Sequence, residues 1–390
     1  MEDLKFIDLF CGIGGFHIAL KELGAECVLA CDTDKKCRFV YENNFGIEPH
    51  DDVRTIEIDE LPDFDIICGG FPCQPFSNAG KKMTLQDDRG LLFDEIMKIA
   101  AVKRPRFMFL ENVKHILKVG GGEVFQYILS KLENTGYRVQ LFKMSPHEYG
   151  IPQQRERIYF ACVRSDIYDT TDINLLRPPG AIIDFESYLD PEDSIEDKFK
   201  IDGDILKVLE AWDEIIAEFD TEEKLSPTIL VNEFYKTYTD EEYKKLAEWR
   251  RDYIEKNRPL YEKYKDKWDS WYNKHSELLS KREIYCKLEW QVGPKRENDS
   301  IFNYFIQLRQ SGIRVRRAQY FPTLVAISQI PIYGKQRRYI TPRECLRLQS
   351  FPEDFLASGD DKATYKQAGN AVNVENAKNV MESVLRHYIN

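Results

Sequence analysis

The sequence has no CxxC pair and no internal repeat. It has no low-complexity tract and no run of about eighteen apolar residues. Its nine cysteines are Cys11, Cys27, Cys31, Cys37, Cys68, Cys73, Cys162, Cys286 and Cys345, an odd number, several of them inside apolar runs. A disulfide framework and a zinc site are therefore not expected, and reduced thiols in a cytoplasmic protein are. The opening MEDLKFIDLFCGIGG lacks a basic stretch followed by a long apolar one, so neither a signal peptide nor a membrane span is expected. Global disorder is excluded by content: 43% of the residues are hydrophobic and 13% aromatic. A length of 390 residues suggests two or three domains.

The net charge is −11, an unpromising sum for a nucleic-acid binder. Its distribution reverses that impression. Between Asp184 and Glu242 there are twenty acids and five bases, so the rest of the chain sums to +4. From Arg309 to Arg338 there are seven bases and no acid. A local basic surface can hold a polyanion while the total remains negative.

The first 165 residues alternate strand and helix patterns. Strands are expected at Phe6–Phe10, Cys27–Asp32, Phe64–Gly70, Arg106–Asn112, Tyr137–Met144 and Arg157–Val163. Helices are expected at Gly14–Gly24, Asp34–Phe45, Leu91–Arg104 and Val124–Gly136. This alternation predicts an α/β fold, a doubly wound and mostly parallel sheet whose ligands bind at the carboxyl ends of the strands. Residues 166–225 read as acidic and irregular. Residues 240–283 carry Tyr261, Tyr264, Trp268 and Trp271 at helical spacing, which predicts two or more helices with an aromatic packing face. Regularity returns at Ile340, and the chain closes on a helix expected to fold back beside the first strand.

Chemistry-bearing residues fall after the strands. DLFCGIGGF (Asp8–Phe16) is a strand, a glycine-rich turn and a helix start, suited to close backbone approach by a nucleotide-like ligand; its spacing is not the GxGxxG dinucleotide pattern. Asp32, about twenty residues on, suits ribose hydroxyls, although Asp32 and Asp34 equally suit a helix cap. Asp52 alone reads as a surface loop acid. In GGFPCQPFS (Gly69–Ser77), Cys73 sits in a proline-restricted backbone, which suits an aimed nucleophile or a merely structural turn. LENV (Leu110–Val113) puts Glu111 at a neighbouring strand end, where a buried carboxyl can be tuned for proton transfer. In QQRERIYF (Gln153–Phe160), Arg155 and Arg157 alternate as on one strand face.

Taken in order with RECLRLQSFPEDF (Arg343–Phe355) and QAGNAVNV (Gln367–Val374), these motifs resemble the cytosine-5 DNA methyltransferase family in its bacterial restriction-modification form. The resemblance covers residues 1–165 and 340–390. It implies a Rossmann-like catalytic domain built from those two stretches, and a smaller mixed α+β target-recognition domain, with an acidic and helical insertion, over 166–339. It implies S-adenosyl-L-methionine as cofactor, lined by Phe10, Gly12, Ile13, Gly14, Asp32, Thr33, Asp52, Val53, Pro72, Leu92, Asn370, Ala371 and Val372. Asp32 and Thr33 depart from the family pattern, which favours glutamate and a larger apolar residue there. Cys73 would attack cytosine carbon 6, Glu111 would hold ring nitrogen 3, Arg157 the ring oxygen, and Arg155 would support the site's charge; no metal is required. The target base would be flipped out of double-stranded DNA. Gln74, Ser77, Lys81, Lys82 and Arg89 would lie on a loop closing on DNA, and Arg314, Arg316 and Arg317, placed as on a strand edge, would contact it. A monomer is implied, together with a cognate restriction endonuclease acting on the same site.

Three other readings carry their own tests. A transfer-RNA cytosine-5 methyltransferase would act on transfer RNA and not on duplex DNA. A non-catalytic DNA-binding relative would not need Cys73, Glu111, Arg155 and Arg157 together. A dinucleotide-dependent dehydrogenase would leave PCQ and ENV unexplained.

Overall fold

The computed structural model describes residues 3–72, 92–180, 184–317, 319–326 and 329–389. The chain forms two compact units, one made of Met1–Tyr188 with Pro342–Asn390, the other of Leu189–Thr341. The first break thus lies at 188, beyond the expected 165. Residues 173–177 explain the difference, because they are strapped to the first unit. Ile173 N–H donates to Gln140 Oε1 (3.0 Å), Leu176 N–H to Ser383 Oγ (2.9 Å) and Arg177 N–H to Asn379 Oδ1 (3.1 Å).

In the first unit the strands are β1 (Lys5–Leu9), β2 (Glu26–Cys31), β3 (Ile66–Gly69), β4 (Phe107–Val113), β5 (Tyr137–Met144) and β6 (Arg157–Arg164), ordered β2-β1-β3-β4-β6-β5. The first four pair in parallel; β6 runs antiparallel to both β4 and β5. The helices are α1 (Gly15–Glu22), α2 (Lys35–Phe45), α3 (Leu92–Lys103) and α4 (Glu123–Asn134). Strand order reverses between β1 and β3, and it is outside the carboxyl ends of the strands at such a reversal that doubly wound sheets take their ligands. The core of this unit joins Ile7, Leu9, Ile67, Met108, Leu110 and Phe160 from the strands to Phe93, Ile96 and Ile128 from the helices.

The second unit begins with α5 (Gly203–Ala217), followed by α6 (Asp240–Lys245), α7 (Glu248–Lys263) and α8 (Lys265–Ser280). Its sheet holds β7 (Ile229–Leu230), β8 (Lys287–Gln291), β9 (Phe305–Arg309), β10 (Gly312–Arg316), β11 (Ile332–Tyr333) and β12 (Arg338–Tyr339), ordered β12-β11-β9-β10-β8-β7. One face contributes Leu288, Trp290, Ile306, Ile313 and Val315 to a core with α5, α7 and α8. The aromatic stripe is a packing face, as expected: Tyr264, Trp268 and Trp271 are buried, and Trp271 Nε1 donates to Ala211 O at 2.6 Å. Helix α5, with Trp212 wholly buried, stands where the sequence reads as irregular.

Residues 342–390 return to the first unit as α9 (Pro342–Leu348), α10 (Asp361–Asn370) and α11 (Val374–Ile389). The last helix folds back onto α1, the helix that follows β1, and onto β6. No described helix is long and apolar enough to cross a membrane.

Candidate active site

The glycine-rich turn leaves β1 with three residues at positive φ: Phe10 (55°), Gly12 (54°) and Gly14 (88°). For Phe10 this is a strained conformation, of the sort that clusters at ligand sites. A side chain on Gly14 would meet the Phe45 ring at 2.3 Å, whereas a Cβ on Gly12 would meet nothing within 4 Å. The turn is therefore packed on one side and open on the other. Asp32, just beyond β2, fixes its shape: Oδ2 accepts Gly12 N–H and Oδ1 accepts Asp34 N–H, each at 2.8 Å. Burial raises the Asp32 carboxyl above its ordinary range, and those two backbone donors pull it back. The capping alternative belongs to Asp34, which accepts Lys36 N–H at the start of α2.

Behind the turn lies a buried polar group that the sequence reading missed. Asp8 is fully enclosed, and its carboxyl is pushed up to about 8, chiefly by burial. Cys68 Sγ lies 3.6 Å from Oδ1, and the Tyr41 hydroxyl donates to Oδ2 at 3.5 Å. Tyr41 also meets His17 Nδ1 at 2.7 Å.

At the next strand end Glu111 pairs with Arg157 at 2.9 Å, with side chains 11% and 13% exposed. Burial pushes the Glu111 carboxyl up; the charges of Arg157 and then Arg155 pull it down. A Cβ on Gly70 would stand 3.6 Å from Glu111 Oε2 and 3.6 Å from Val372 Cγ2, so the carboxylate, the chain leaving β3 and the C-terminal segment converge. Asn112, not singled out in the sequence, ties the first two: its Nδ2 donates to Phe71 O at 3.0 Å. The polypeptide at Phe71, two residues before Cys73, is held there by the residue that follows Glu111.

Arg155 departs from expectation. Strand β6 starts at Arg157, so the two arginines do not share a strand face. Arg155 is buried, and its Nη2 donates to Gly369 O (3.0 Å) and Ala371 O (2.9 Å). Its guanidinium faces the backbone of QAGNAVNV, from which Val372 O presses on α1: a Cβ on Gly15 would come within 2.5 Å of it.

Of the other expected cofactor residues, Ile13, Val53 and Ala371 are buried, Leu92 and Pro72 are half-buried, and Thr33 and Asn370 are exposed. Asp52 is engaged elsewhere: it caps a short helical turn through Arg54 N–H (3.0 Å), and the Arg54 guanidinium grips it at 2.5 and 2.9 Å. Cys73, Gln74, Ser77, Lys81, Lys82 and Arg89 lie outside the described residues. Among the described residues, eight cysteines are free thiols and no cluster of His, Cys, Asp or Glu is arranged to hold a metal.

In the second unit, the strand-edge expectation for the arginines fails: β10 is interior, between β9 and β8. Arg314 lies opposite Glu289 and pairs with it at 2.5 Å. Arg316 shares that face, two residues along the strand. Burial and the Arg314 charge both work against the charge of Arg316. Arg317, past the strand end, donates from Nε to Val292 O at 2.7 Å. A polar, arginine-bearing face thus opposes the apolar one.

The family described as C-5 cytosine-specific DNA methylase matches residues 4–386. Type II methyltransferase M.BanI of Aneurinibacillus aneurinilyticus is 30% identical, over 99% of this chain and 97% of that protein. Type II methyltransferase M.DsaV of Dactylococcopsis salina is 31% identical, over 99% and 87% respectively. Among solved structures, the methyltransferase EhMeth of Entamoeba histolytica matches with a TM-score of 0.57 at 17% identity, covering 99% of each chain. The Dnmt2 methyltransferase of S. pombe matches at 0.55 and 18%, covering 99% of this chain and 100% of that one. At such identities the structural likeness speaks for the fold, and the sequence match speaks for the kind of enzyme. Since that match runs through both units, the chain belongs to the C-5 cytosine-specific DNA methylase family.

Proposed function

We propose that this enzyme transfers the methyl group of S-adenosylmethionine to carbon 5 of a flipped-out cytosine in a specific duplex DNA site, through a covalent Cys73 adduct. The buried Glu111–Arg157 pair, 2.9 Å apart beside the chain that leads to Cys73, carries this reading. Carbon 5 of cytosine is a weak nucleophile. Addition of the Cys73 thiolate to carbon 6 makes the ring an enamine. Glu111, its carboxyl pushed up by burial, is suited to share a proton with ring nitrogen 3, where charge develops. Arg157 holds Glu111 in place and presents donors for the ring oxygen. After methylation, loss of the carbon 5 proton and departure of the thiolate restore the aromatic ring and the enzyme.

The cofactor, when bound, supplies an electrophilic methyl on a sulfonium. The residues fit such a group: the space over Gly12 is open, the Asp32 carboxylate stands at the neighbouring strand end, and Val372 closes against α1. Each Asp32 oxygen already accepts one backbone donor and keeps a second lone pair for a ribose hydroxyl. Phe10, Ile13, Gly14, Thr33, Asp52, Val53, Pro72, Leu92, Asn370 and Ala371 are proposed to complete the pocket; Asp52 would have to accept from adenine while still gripped by Arg54.

For DNA we propose the arginine-bearing sheet face, with Arg314, Arg316 and Arg317, together with Gln74, Ser77, Lys81, Lys82 and Arg89. The relatives named as type II methyltransferases support a restriction-modification role; we propose that the enzyme acts as a monomer in the bacterial cytoplasm, alongside an endonuclease of the same site.

The test uses duplex DNA carrying 5-fluorocytosine at the methylated site, which leaves no removable proton on carbon 5. A covalent, denaturant-resistant complex is expected with the native enzyme and none with Cys73→Ser. Failure to trap at a site that is otherwise methylated overturns the adduct. Methylation of transfer RNA but not of duplex DNA overturns the substrate.

A further inference from the structure

The segment between α10 and α11 is short, irregular and held almost wholly by residues outside it. Gln349, which follows α9, is completely buried. Its Nε2 donates to Ala368 O at 2.7 Å, and its own carbonyl accepts Val374 N–H at 3.1 Å. Arg155 takes Gly369 O and Ala371 O. Asn373 Nδ2 reaches Leu348 O at 3.2 Å, a carbonyl that Gln153 Nε2 also engages at 3.0 Å. Residues 368–374 are thus fastened on both sides of Asn370–Val372.

What they fasten is a close fit. Val372 O stands where a Cβ on Gly15 would meet it at 2.5 Å, and Val372 Cγ2 lies 3.6 Å from the Cβ position of Gly70. An apex pressed on Gly15 and near Gly70 has little room to shift toward α1. Helical bonds fix its two ends: Ala371 N–H donates to Gln367 O at 2.8 Å, and Asn373 O accepts Ala377 N–H at 3.1 Å.

Gln349 has a telling asymmetry. Its Oε1 is buried with no partner among the described residues, while Nε2 donates to Ala368 O. Burying an unpaired amide oxygen is unfavourable. The residue is therefore kept for its donor, and the partner that needs the donor is the carbonyl two residues before Asn370.

We propose that Gln349 is a positioning residue for cofactor binding. Acting with Arg155, it holds the backbone of residues 368–372 so that Val372 closes the pocket against the glycine turn. The proposal rests on the reading that Asn370–Val372 line that pocket. It predicts that the donor function of the amide, more than its volume, sets affinity for the cofactor, while the methyl-transfer step, served by other residues, is spared.

The experiment titrates the full-length chain calorimetrically with S-adenosylhomocysteine and measures turnover on duplex DNA in parallel. Gln349→Met keeps the size and removes the donor. Its Kd is expected to rise about 10-fold, equivalent to about 1.4 kcal/mol, with a matching rise in the KM of the methyl donor and kcat within about twofold. Gln349→Glu is the rescue variant: a protonated carboxyl can donate to Ala368 O, an ionised one cannot. Its affinity relative to the native enzyme is expected to recover as pH falls from 8.5 to 6, because burial raises a carboxyl's pKa into that range.

Native affinity in Gln349→Met, or a loss confined to kcat, overturns the proposal. So does a Gln349→Glu defect that ignores pH, and that series decides the matter alone if Gln349→Met does not fold. Absence of binding by the native chain overturns the pocket reading itself, a distinct failure.

Discussion

Glu111 and Arg157 stand on adjacent antiparallel strands, offset by two cross-strand pairs, and meet at 2.9 Å in a corner nearly closed to water. Neither charge is comfortable there alone. Burial works against ionised Glu111, and the arginines are what offset it.

That balance separates the two partners experimentally. Glu111→Gln keeps an acceptor for Arg157 and is expected to lower kcat by about 10²–10³-fold, the range for losing one preorganised group at a site of developing charge, with a smaller loss of stability than the arginine variant. Arg157→Ala strands a buried carboxylate and is expected to cost about 3–5 kcal/mol of stability as well. Urea denaturation beside single-turnover methylation distinguishes them. Equal stability losses in both variants would contradict the account.

Gly15 and Gly12 provide a steric contrast. An alanine at Gly15 would push its Cβ to 2.5 Å from Val372 O, a backbone atom that cannot swing aside. Despite alanine's better helix propensity, Gly15→Ala is expected to lose about 1–3 kcal/mol from overpacking and to weaken cofactor binding. Gly12→Ala meets no atom and suffers only from its φ of 54°, a cost of about 1–2 kcal/mol. Its packing against the C-terminal segment should be intact, as hydrogen exchange across 368–374 would report. Unchanged exchange in Gly15→Ala would remove the basis for the contrast.

Asp8 makes stability depend on pH. Its folded carboxyl titrates at about 8 against an ordinary value of 3.8, so between those limits the folded state holds a proton that the unfolded state has released. The stability it contributes is complete below pH 3.8 and declines as pH rises toward 8. His17 acts in the opposite sense: it is lowered from 6.5 to about 4, so stability rises with pH across that lower window. The two slopes oppose each other below 6.5, and from 6.5 to 8 Asp8 acts without that counterweight. There the decline approaches about 1.4 kcal/mol per pH unit for one full proton. Asp8→Asn is expected to flatten that interval in denaturant midpoints; a native-like slope in the variant would refute the assignment.

Which parts of this were legible in the sequence follows from the distance over which each is built. The glycine turn and Asp32 are local strand-turn-helix features, and their residues are recognisable as such. Arg155 is not, because its partners, Gly369 and Ala371, lie 214 and 216 positions away. Asp8 reads as one more motif residue until the neighbouring strand covers it. Helix α5 did carry a signal: Ile205, Val208, Leu209, Trp212, Ile215 and Ile216 repeat at helical spacing. The acids between them, Glu210, Asp213 and Glu214, gave the stretch its irregular appearance. The interior place of β10 depends on strand order, which no single strand's sequence encodes.

The first unit is made of two pieces of chain separated by the whole of the second. During synthesis, α11, which packs on α1, begins roughly 350 residues after α1 ends, about 18–70 seconds later at ribosomal rates of about 5–20 residues per second. Through that interval Ala19 and Leu20 of α1, buried in the finished protein, wait for α11. The nascent sheet is thus committed early and sealed late. Chaperone capture, if it occurs on this chain, is expected at that helix surface and to end once residues 374–389 have emerged.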